Sequence, residues 1–113
     1  MKEVKAFIRC MKAEEVIEAL DKLNISDITL IDVMGVGQHL VDTKNAKYSI
    51  QCVQRYSEVA KLEVVCADEH VHKIVETIRE KAFTNMKGDG MIYVSPVEMA
   101  VKIRTGAVGE QAL

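Results

Sequence analysis

Two segments with helical spacing of apolar side chains, each set between runs of strand-forming residues, constrain the fold of this chain most strongly. In residues 13–23 the apolar side chains recur every three or four positions, and glutamates lie on the opposite side. Residues 68–82 repeat the pattern, and Asp68 stands at their start as a good N-cap. Such spacing places the apolar groups on one face of a helix. We therefore predict two helices that each pack one face against a sheet.

Four runs of strand-forming residues surround these helices, at residues 4–10, 27–34, 59–66 and 91–94. Asn24 is predicted to end the first helix, and a short final strand is predicted to end at residues 102–104. The element order is then β-α-β, a long loop, and β-α-β. This order predicts an α+β fold, the ferredoxin-like βαββαβ sandwich. A length of 113 residues indicates a single domain, residues 1–113, with a C-terminal tail covering residues 105–113.

The connection between the second and third strands, residues 38–56, is mostly polar and has no sustained period. A connection of this length is uncommon in a compact domain unless it is functional or mobile. A polar segment without an apolar face buries too little surface to hold one conformation, so we predict a mobile loop. Its candidate contacts with a partner are His39, Tyr48, Ile50 and Val53. A disordered insertion without a role is the alternative.

The composition excludes several classes of protein. The net charge is −2, whereas a nucleic-acid or membrane-surface binder would carry a basic excess. No apolar run has the length of a membrane span, and the first residues show no signal-peptide pattern. Three cysteines without a CxxC pair are typical of a reducing compartment. We therefore expect a cytoplasmic protein without a nucleic-acid partner and without direct membrane insertion.

The segment Gly88-Asp89-Gly90 is the strongest candidate site. Glycine adopts backbone angles that a side chain forbids, and it lets a ligand approach the main chain. Downstream, Lys102 and Arg104 flank one apolar residue, so on an extended strand both would project from one face. Backbone N–H groups and two cations would together hold a phosphate. A surface hairpin with ordinary solvated charges is the alternative interpretation.

Other residue clusters give weaker signals. His70 and His72 are two positions apart on a predicted helix and point in different directions, so they form a poor chelating pair. His39, Asp42 and Cys52 lie in the long loop and would meet only if it folded back. No Ser/His/Asp or Cys/His arrangement has a supporting context. We therefore predict no catalytic residue and no metal site.

Residues 84–105 resemble the carboxy-terminal signature of the PII family of signalling proteins, in which a GDGKIF motif is followed by SPVE and RIRTG. In this chain the three motifs read GDGMIY, SPVE and KIRTG. The opening MKEVKAFI and the segment VMGVG at residues 33–37 fit the same family, and the match covers nearly the whole chain. It departs from the family at Met91, where lysine is usual, and at Lys102, where arginine is usual.

The resemblance implies a homotrimer of ferredoxin-like subunits with adenine nucleotides bound in the clefts between them. It implies that the adenosine is flanked by Thr29, Gly35, Val36, Gly37, Glu63 and Val65, and that the phosphates are bound by Gly88, Asp89, Gly90, Met91, Lys102 and Arg104. Gln38 is a further nucleotide-binding residue by the same resemblance. Plain strand packing is the alternative for Glu63 and Val65. The nucleotide would be ATP, ADP or AMP, with Mg²⁺ accompanying ATP. Because methionine carries no charge, Met91 predicts that ADP and AMP compete with ATP on nearly equal terms.

The family also responds to 2-oxoglutarate. In the family, a glutamine after the second glycine helps to hold magnesium, and a lysine near the far end of the loop pairs with the carboxylate of the metabolite. Gln38 or His39 would take the first role here, but Glu58 falls near the lysine position. The sequence therefore does not predict the standard 2-oxoglutarate response. Residues 44–49, KNAKYS, also lack the context of the family's tyrosine modification site.

We therefore predict a PII-like regulatory protein, not an enzyme, that controls a target enzyme or transporter in nitrogen-linked regulation. The alternatives are a small nucleotide-hydrolysing enzyme and a trimeric metal-tolerance protein of similar fold. For the first, the sequence offers no persuasive base or water-positioning residue. For the second, ligands in a fixed cleft would be expected, and the GDG and KIRTG motifs argue against it.

Overall fold

A computed structural model describes residues 1–25, 27–34 and 58–113, and these contain four strands and two helices. Short 3-10 turns at Cys10–Lys12 and Asp68–His70 lead into the helices, and another lies at Gly109–Ala112. The order of elements confirms the predicted α+β, ferredoxin-like fold. The strands are β1 (Lys2–Arg9), β2 (Ile28–Met34), β3 (Glu58–Cys66) and β4 (Met91–Pro96), and the helices are α1 (Ala13–Asp21) and α2 (Val71–Ala82).

The four strands form one antiparallel sheet with the order β2-β3-β1-β4. Its register places the following residues opposite one another: Arg9 and Val59, Phe7 and Met91, and Met34 and Glu58. One end of the sheet therefore carries the ends of β1 and β2 and the starts of β3 and β4. We refer to it as the Arg9 end of the sheet.

One face of the sheet is buried against the two helices. In β1 the even positions Val4, Ala6 and Ile8 are buried, and the positions between them are only partly covered. Successive side chains of a strand point to opposite faces, so this alternation identifies the helix-facing side. Burial of each large apolar side chain stabilises the folded state by about 1.5–3 kcal/mol. The largest buried side chains of this core are Leu20, Leu62, Ile74, Ile78, Val4 and Val16.

The opposite face of the sheet mixes aromatic and charged side chains. Phe7 and Tyr93 meet edge to face, with their ring centroids 6.1 Å apart. The ammonium of Lys61 lies 5.9 Å from the centroid of Phe7 and 2.6 Å from the carboxylate of Glu63. Met91 and Tyr93 remain more than half exposed in the single chain. Exposed large side chains grouped on one face are typical of a surface that another molecule covers.

The two predictions about helix ends have different outcomes. Helix α1 stops at Asp21, and Asn24 adopts a left-handed φ of 62°, which confirms Asn24 as the point where the chain leaves the helix. The predicted N-cap role of Asp68 is wrong. Asp68 lies within the 3-10 turn that precedes α2, and its carboxylate pairs with the α-amino group of Met1 at 3.0 Å and with Lys2 at 3.7 Å. The carboxylate therefore binds cations at the start of β1 instead of the first backbone N–H groups of the helix.

Candidate functional site

The turn Gly88-Asp89-Gly90, which we call the glycine turn, lies between α2 and β4, and its glycines fit closely against β1. Gly88 and Gly90 have φ values of 96° and 103°, in a region that side chains disfavour. A Cβ on Gly90 would overlap the carbonyl oxygen of Phe7, and a Cβ on Gly88 would come within 3.3 Å of the Nη2 atom of Arg9. The overlap with β1 therefore accounts for Gly90, and the positive φ accounts for Gly88, in both cases without reference to a ligand.

The carboxylate of Asp89 points back into its own turn. Its Oδ2 atom accepts hydrogen bonds from the backbone N–H groups of Thr84 at 2.7 Å and Asn85 at 3.2 Å. Its Oδ1 atom accepts from the Thr84 hydroxyl and, at 3.0 Å, from the Nε–H group of Arg9. These bonds, the Thr84 hydroxyl first and Arg9 in addition, lower the pKa of the Asp89 carboxyl to about 2. Asp89 would therefore reach a phosphate through its backbone N–H group, because its carboxylate is already engaged.

Arg9, the last residue of β1, contacts the glycine turn from the side of the sheet. Its Nη2 group donates a 2.7 Å hydrogen bond to the carbonyl oxygen of Lys87, while its Nε–H group donates to Asp89. The guanidinium thus binds the residues on either side of Gly88. Sequence reasoning missed Arg9 and Thr84, because only the fold places them beside Asp89. No motif in the sequence includes either residue.

The backbone N–H groups of residues 88–90 donate no hydrogen bond to any other residue that the structure describes. Successive backbone N–H groups in a turn are one of the features that bind anions in proteins. Met91 follows immediately at the start of β4, and its side chain is 58% exposed. The glycine turn therefore offers neutral donors to a phosphate, and the side chain next to it adds no charge.

The second predicted phosphate-binding segment forms a small hairpin around residues 101–108. Val101 and Val108 form an isolated antiparallel bridge. The N–H group of Lys102 donates to the carbonyl of Ala107 at 2.9 Å, and the N–H group of Gly106 donates to the carbonyl of Lys102 at 2.7 Å. The prediction of an extended strand through residues 102–104 is wrong, because these backbone bonds reverse the chain at this point.

The tip of this hairpin carries both predicted cations. Ile103, between Lys102 and Arg104, is fully exposed. Among the described residues, neither cation forms an ion pair with a carboxylate. Strand β4 begins beside the glycine turn and ends at Pro96, and six extended residues span about 20 Å. The hairpin follows the far end of β4, and no described contact joins its cations to the glycine turn of the same chain.

Three predicted adenosine contacts share one surface. Thr29 on β2 and Glu63 on β3 lie opposite one another in the register, and Val65 is two residues further along the same face of β3. This face is the one turned away from the helices, where Thr29 is exposed and the other two are half-buried. The carboxylate of Glu63 is paired with Lys61 at 2.6 Å. The structure thus brings these three residues together on the open face of the sheet.

The remaining predicted site residues lie outside the described residues: Gly35, Val36, Gly37, Gln38, His39, Tyr48, Ile50 and Val53. The same holds for Asp42 and Cys52 of the weaker loop cluster. The nearest described residues on either side are Met34, which ends β2, and Glu58, which begins β3, and these two are register partners. Both therefore lie at the Arg9 end of the sheet, which is also the end where the glycine turn leads into β4.

The two helical histidines contact carboxylates on their own elements. The Nε2 atom of His70 lies 3.4 Å from Glu69, and that of His72 lies 3.2 Å from Glu76, one helical turn away. Within residues 1–25, 27–34 and 58–113, no three His, Cys, Asp or Glu side chains are grouped so that they could hold a metal ion. Over the same ranges, no helix combines the length and apolar character that crossing a membrane requires.

The sequence profile of the family described as Nitrogen regulatory protein P-II matches residues 1–107. The chain is similar to proteins named Nitrogen regulatory protein P-II from Cereibacter sphaeroides, with 38% identity over 113 residues, and from Rhizobium meliloti (strain 1021), with 37% identity over 116 residues. A third such protein, from Pyropia yezoensis, is 38% identical over 116 residues. Each alignment covers 100% of this chain and of its relative. The chain therefore belongs to the nitrogen regulatory protein P-II family, whose members are named as regulatory proteins and not as enzymes.

Proposed function

We propose that this regulatory protein works as a cytoplasmic homotrimer that binds adenine nucleotides between its subunits and controls a target enzyme or transporter through residues 38–56. The nucleotide is ATP, ADP or AMP, and Mg²⁺ accompanies ATP. Nucleotide binding favours one arrangement of the controlling segment over others. A target that prefers this arrangement then senses the nucleotide.

The observation that carries this proposal is the separation of the two phosphate-binding segments on one chain. The glycine turn precedes β4, whereas Lys102 and Arg104 lie on a hairpin beyond its far end. Ile103 at the tip and Val101 and Val108 in the bridge of the hairpin are all exposed, and exposed apolar side chains grouped in one place favour contact with another molecule. A second copy of the chain would supply the cations that the turn lacks. This arrangement supports a cleft between subunits.

The open face of the sheet supports the same assembly. It carries the Phe7–Tyr93 pair and the exposed Met91. A small sheet that leaves such side chains half covered gains stability by burying them against a second molecule. We assign this face to the centre of the trimer, since each subunit would then cover the apolar groups of its neighbours.

The groups near the phosphate set the preference among nucleotides. Residues 88–90 offer three N–H groups that donate to no other described residue, and these would bind a phosphate close to the turn whatever the length of the phosphate chain. The residue that follows is Met91, which contributes no charge to the terminal phosphate. We therefore expect ADP and AMP to bind with affinities close to that of ATP.

The described residues nearest to the controlling segment lie at the same end of the sheet as the glycine turn. These residues, Met34 and Glu58, are register partners at the Arg9 end of the sheet, the end at which the turn enters β4. A nucleotide bound at the turn would therefore lie close to both ends of the segment. This position supports coupling between the nucleotide and the segment.

Calorimetry with ATP, ADP and AMP tests nucleotide binding and the position of the site. Arg104→Ala removes a cation from the hairpin tip, and we expect all three nucleotides to bind at least about tenfold more weakly, as for the loss of a charged hydrogen bond. Lys73→Ala is a matched control, because it removes an exposed cation from α2 and should change nothing. Unchanged affinity in Arg104→Ala would show that the cations bind elsewhere.

Light scattering tests the assembly, with a trimer as the expected result. A stable monomer at micromolar concentration would contradict both the trimer and the site between subunits.

Limited proteolysis tests the controlling segment. We expect rapid cleavage within residues 44–55 in the free protein and a changed rate when nucleotide is added. Cleavage at the same rate in both states, or resistance in both, would contradict control through this segment.

A further inference from the structure

Arg9 belongs to no motif in the sequence, yet among the residues that the structure describes its side chain is the one group from outside residues 84–90 that hydrogen-bonds to this segment. We propose that Arg9 is a positioning residue for the phosphate-binding turn. It holds residues 87–89 in the conformation that presents the N–H groups of residues 88–90 to a nucleotide, and it does not touch the nucleotide. This inference rests on the proposed nucleotide site.

The contacts of the guanidinium favour positioning over direct phosphate binding. Two of its donors are used on the turn, one on the carbonyl oxygen of Lys87 at 2.7 Å and one on the Asp89 carboxylate at 3.0 Å. The charge of Arg9 is therefore balanced by the carboxylate that it binds. An arginine neutralised in this way adds little attraction for a phosphate, but its planar fork fixes the two groups that it joins.

Asp89 extends this restraint across the whole loop. Its carboxylate also binds the N–H groups of Thr84 and Asn85 and the hydroxyl of Thr84. The loop is thus closed on itself by Asp89 and attached to β1 by Arg9. Without the attachment, the two glycines would leave the turn free to sample many backbone conformations.

A turn that samples many conformations must be ordered when the ligand binds, and this ordering reduces affinity. We therefore expect the loss of Arg9 to weaken ligands that carry phosphate and to spare a ligand that carries none. Adenosine is such a ligand, because it has the base and sugar of the nucleotides and no phosphate for the glycine turn to bind.

The test compares ADP and adenosine by calorimetry on the full-length protein. Arg9→Gln should weaken ADP about tenfold, the cost of one ordering contact, and change adenosine by less than about twofold. Lys12→Gln is the matched control: Lys12 lies three residues away, pairs with Glu15 at 3.6 Å, and makes no described contact with the turn. Equal weakening of ADP and adenosine, or unchanged ADP affinity, would overturn the proposal.

The variant Arg9→Lys separates geometry from charge. Lysine keeps the positive charge but cannot bind a carboxylate and a carbonyl with a planar fork. We expect ADP affinity to stay close to that of Arg9→Gln. Recovery of the wild-type affinity would show that the charge alone matters, and positioning would then be wrong.

The variant Asp89→Asn tests the Arg9–Asp89 contact from its other partner. Measured alone with ADP and adenosine, it replaces Arg9→Gln as the test if that variant does not fold. Both substitutions break the Arg9–Asp89 contact, and Arg9→Gln also removes the bond to the Lys87 carbonyl, so the double variant should lose less ADP affinity than the two single losses added together. Losses that add in full would show that Arg9 acts independently of Asp89, against the proposal.

Nuclear magnetic resonance of the Gly88 and Gly90 amides distinguishes failure of this inference from failure of the proposed function. In Arg9→Gln, without nucleotide, both amide signals should shift or broaden, whereas in Lys12→Gln they should not. If the wild type bound no nucleotide, the proposed function would fail, and the amide signals would still decide whether Arg9 holds the turn. Unchanged glycine signals in Arg9→Gln would overturn the positioning role.

Discussion

The glycine turn and the C-terminal hairpin are both short, and both contain glycines with positive φ, but different interactions hold them. In the turn, the Asp89 carboxylate and the Arg9 guanidinium bind backbone and side-chain groups, and a Cβ on Gly90 would overlap β1. The hairpin is held mainly by backbone hydrogen bonds. A Cβ on Gly106 or Gly109 would meet no atom within 4 Å.

The two regions therefore show two ways in which one part of a binding site can be held in place. The turn is complete in one chain, because its donors are fixed before any ligand arrives. The hairpin places Ile103 and two cations in the open, so further contacts of these side chains would have to come from another molecule. A site made from both parts would have one half fixed by folding and the other half fixed by assembly.

The largest expected effect comes from adding a methyl group to one glycine of each region. Gly90→Ala should lower the free energy of unfolding by about 3 kcal/mol or more, because overlap with β1 adds to the strain of a left-handed alanine. Gly106→Ala should cost about 1–2 kcal/mol, from the strain alone. Urea unfolding at one protein concentration measures both. Equal losses would contradict the difference in packing between the two regions.

A charge added beside the turn should produce the next largest effect. In Met91→Lys a new ammonium is placed at the start of β4, and one charged hydrogen bond is worth about 1.5–3 kcal/mol. We therefore expect ATP to gain at least about tenfold over ADP in calorimetry. Met99→Lys, at an exposed position of the C-terminal segment, is the control. A wild-type protein that already prefers ATP a hundredfold, roughly 2.7 kcal/mol, would contradict the role of Met91.

A polar substitution at the hairpin tip tests whether a second subunit covers it. If Ile103 packs in the trimer, Ile103→Ser should raise the concentration at which subunits dissociate by about tenfold, since burial of an isoleucine is worth about 1.5–3 kcal/mol. Sedimentation measures dissociation, and circular dichroism should show an unchanged fold. A change in the free energy of dissociation below about 0.5 kcal/mol, the usual effect at an exposed site, would show that no second subunit covers the tip.

The smallest expected effect is on stability, and it occurs only at acidic pH. The pKa of the Asp89 carboxyl is lowered from 3.8 to about 2, so its contribution to stability is present above pH 3.8 and is lost as pH falls through about 2. Between pH 3.8 and about pH 2, the melting temperature of Asp89→Asn should therefore fall less steeply than that of the wild type. Thermal melting at a series of pH values from 7 down to 2 measures both curves. Thr105→Ala removes a hairpin hydrogen bond to the Ala107 N–H and should shift the curve without changing its shape. Identical slopes in Asp89→Asn and wild type would contradict the prediction.

Local patterns in the sequence were sufficient for the elements of the fold. The spacing of Val16 and Leu20 in the first helix, and of Ile74 and Ile78 in the second, reflects contacts within one or two turns, and all four side chains are buried in the core. The same reasoning failed for residues 102–104. Two cations on either side of an apolar residue are compatible with a strand and also with a hairpin tip. The backbone hydrogen bonds of Lys102 with Gly106 and Ala107 form the hairpin.

The motif at residues 88–90 was found from the sequence, but the reason for it was not. Arg9 and Asp89 are 80 residues apart in the chain, and only the pairing of β1 with β4 brings their side chains together. The sequence interpretation assigned Asp89 to phosphate, whereas its carboxylate closes the turn. Contacts between side chains at such a separation leave no local pattern that a single sequence could reveal.

The overlap between a Cβ at Gly90 and the carbonyl oxygen of Phe7 has a consequence for how the GDG motif is used to recognise related proteins. The second glycine is demanded by the passage from α2 into β4, so a related protein that binds no nucleotide would still need it in order to fold. The aspartate that closes the loop would be retained for a similar reason. A match to GDG therefore identifies the architecture, and a claim of ligand binding must come from residues that folding does not require, such as those at positions 91, 102 and 104.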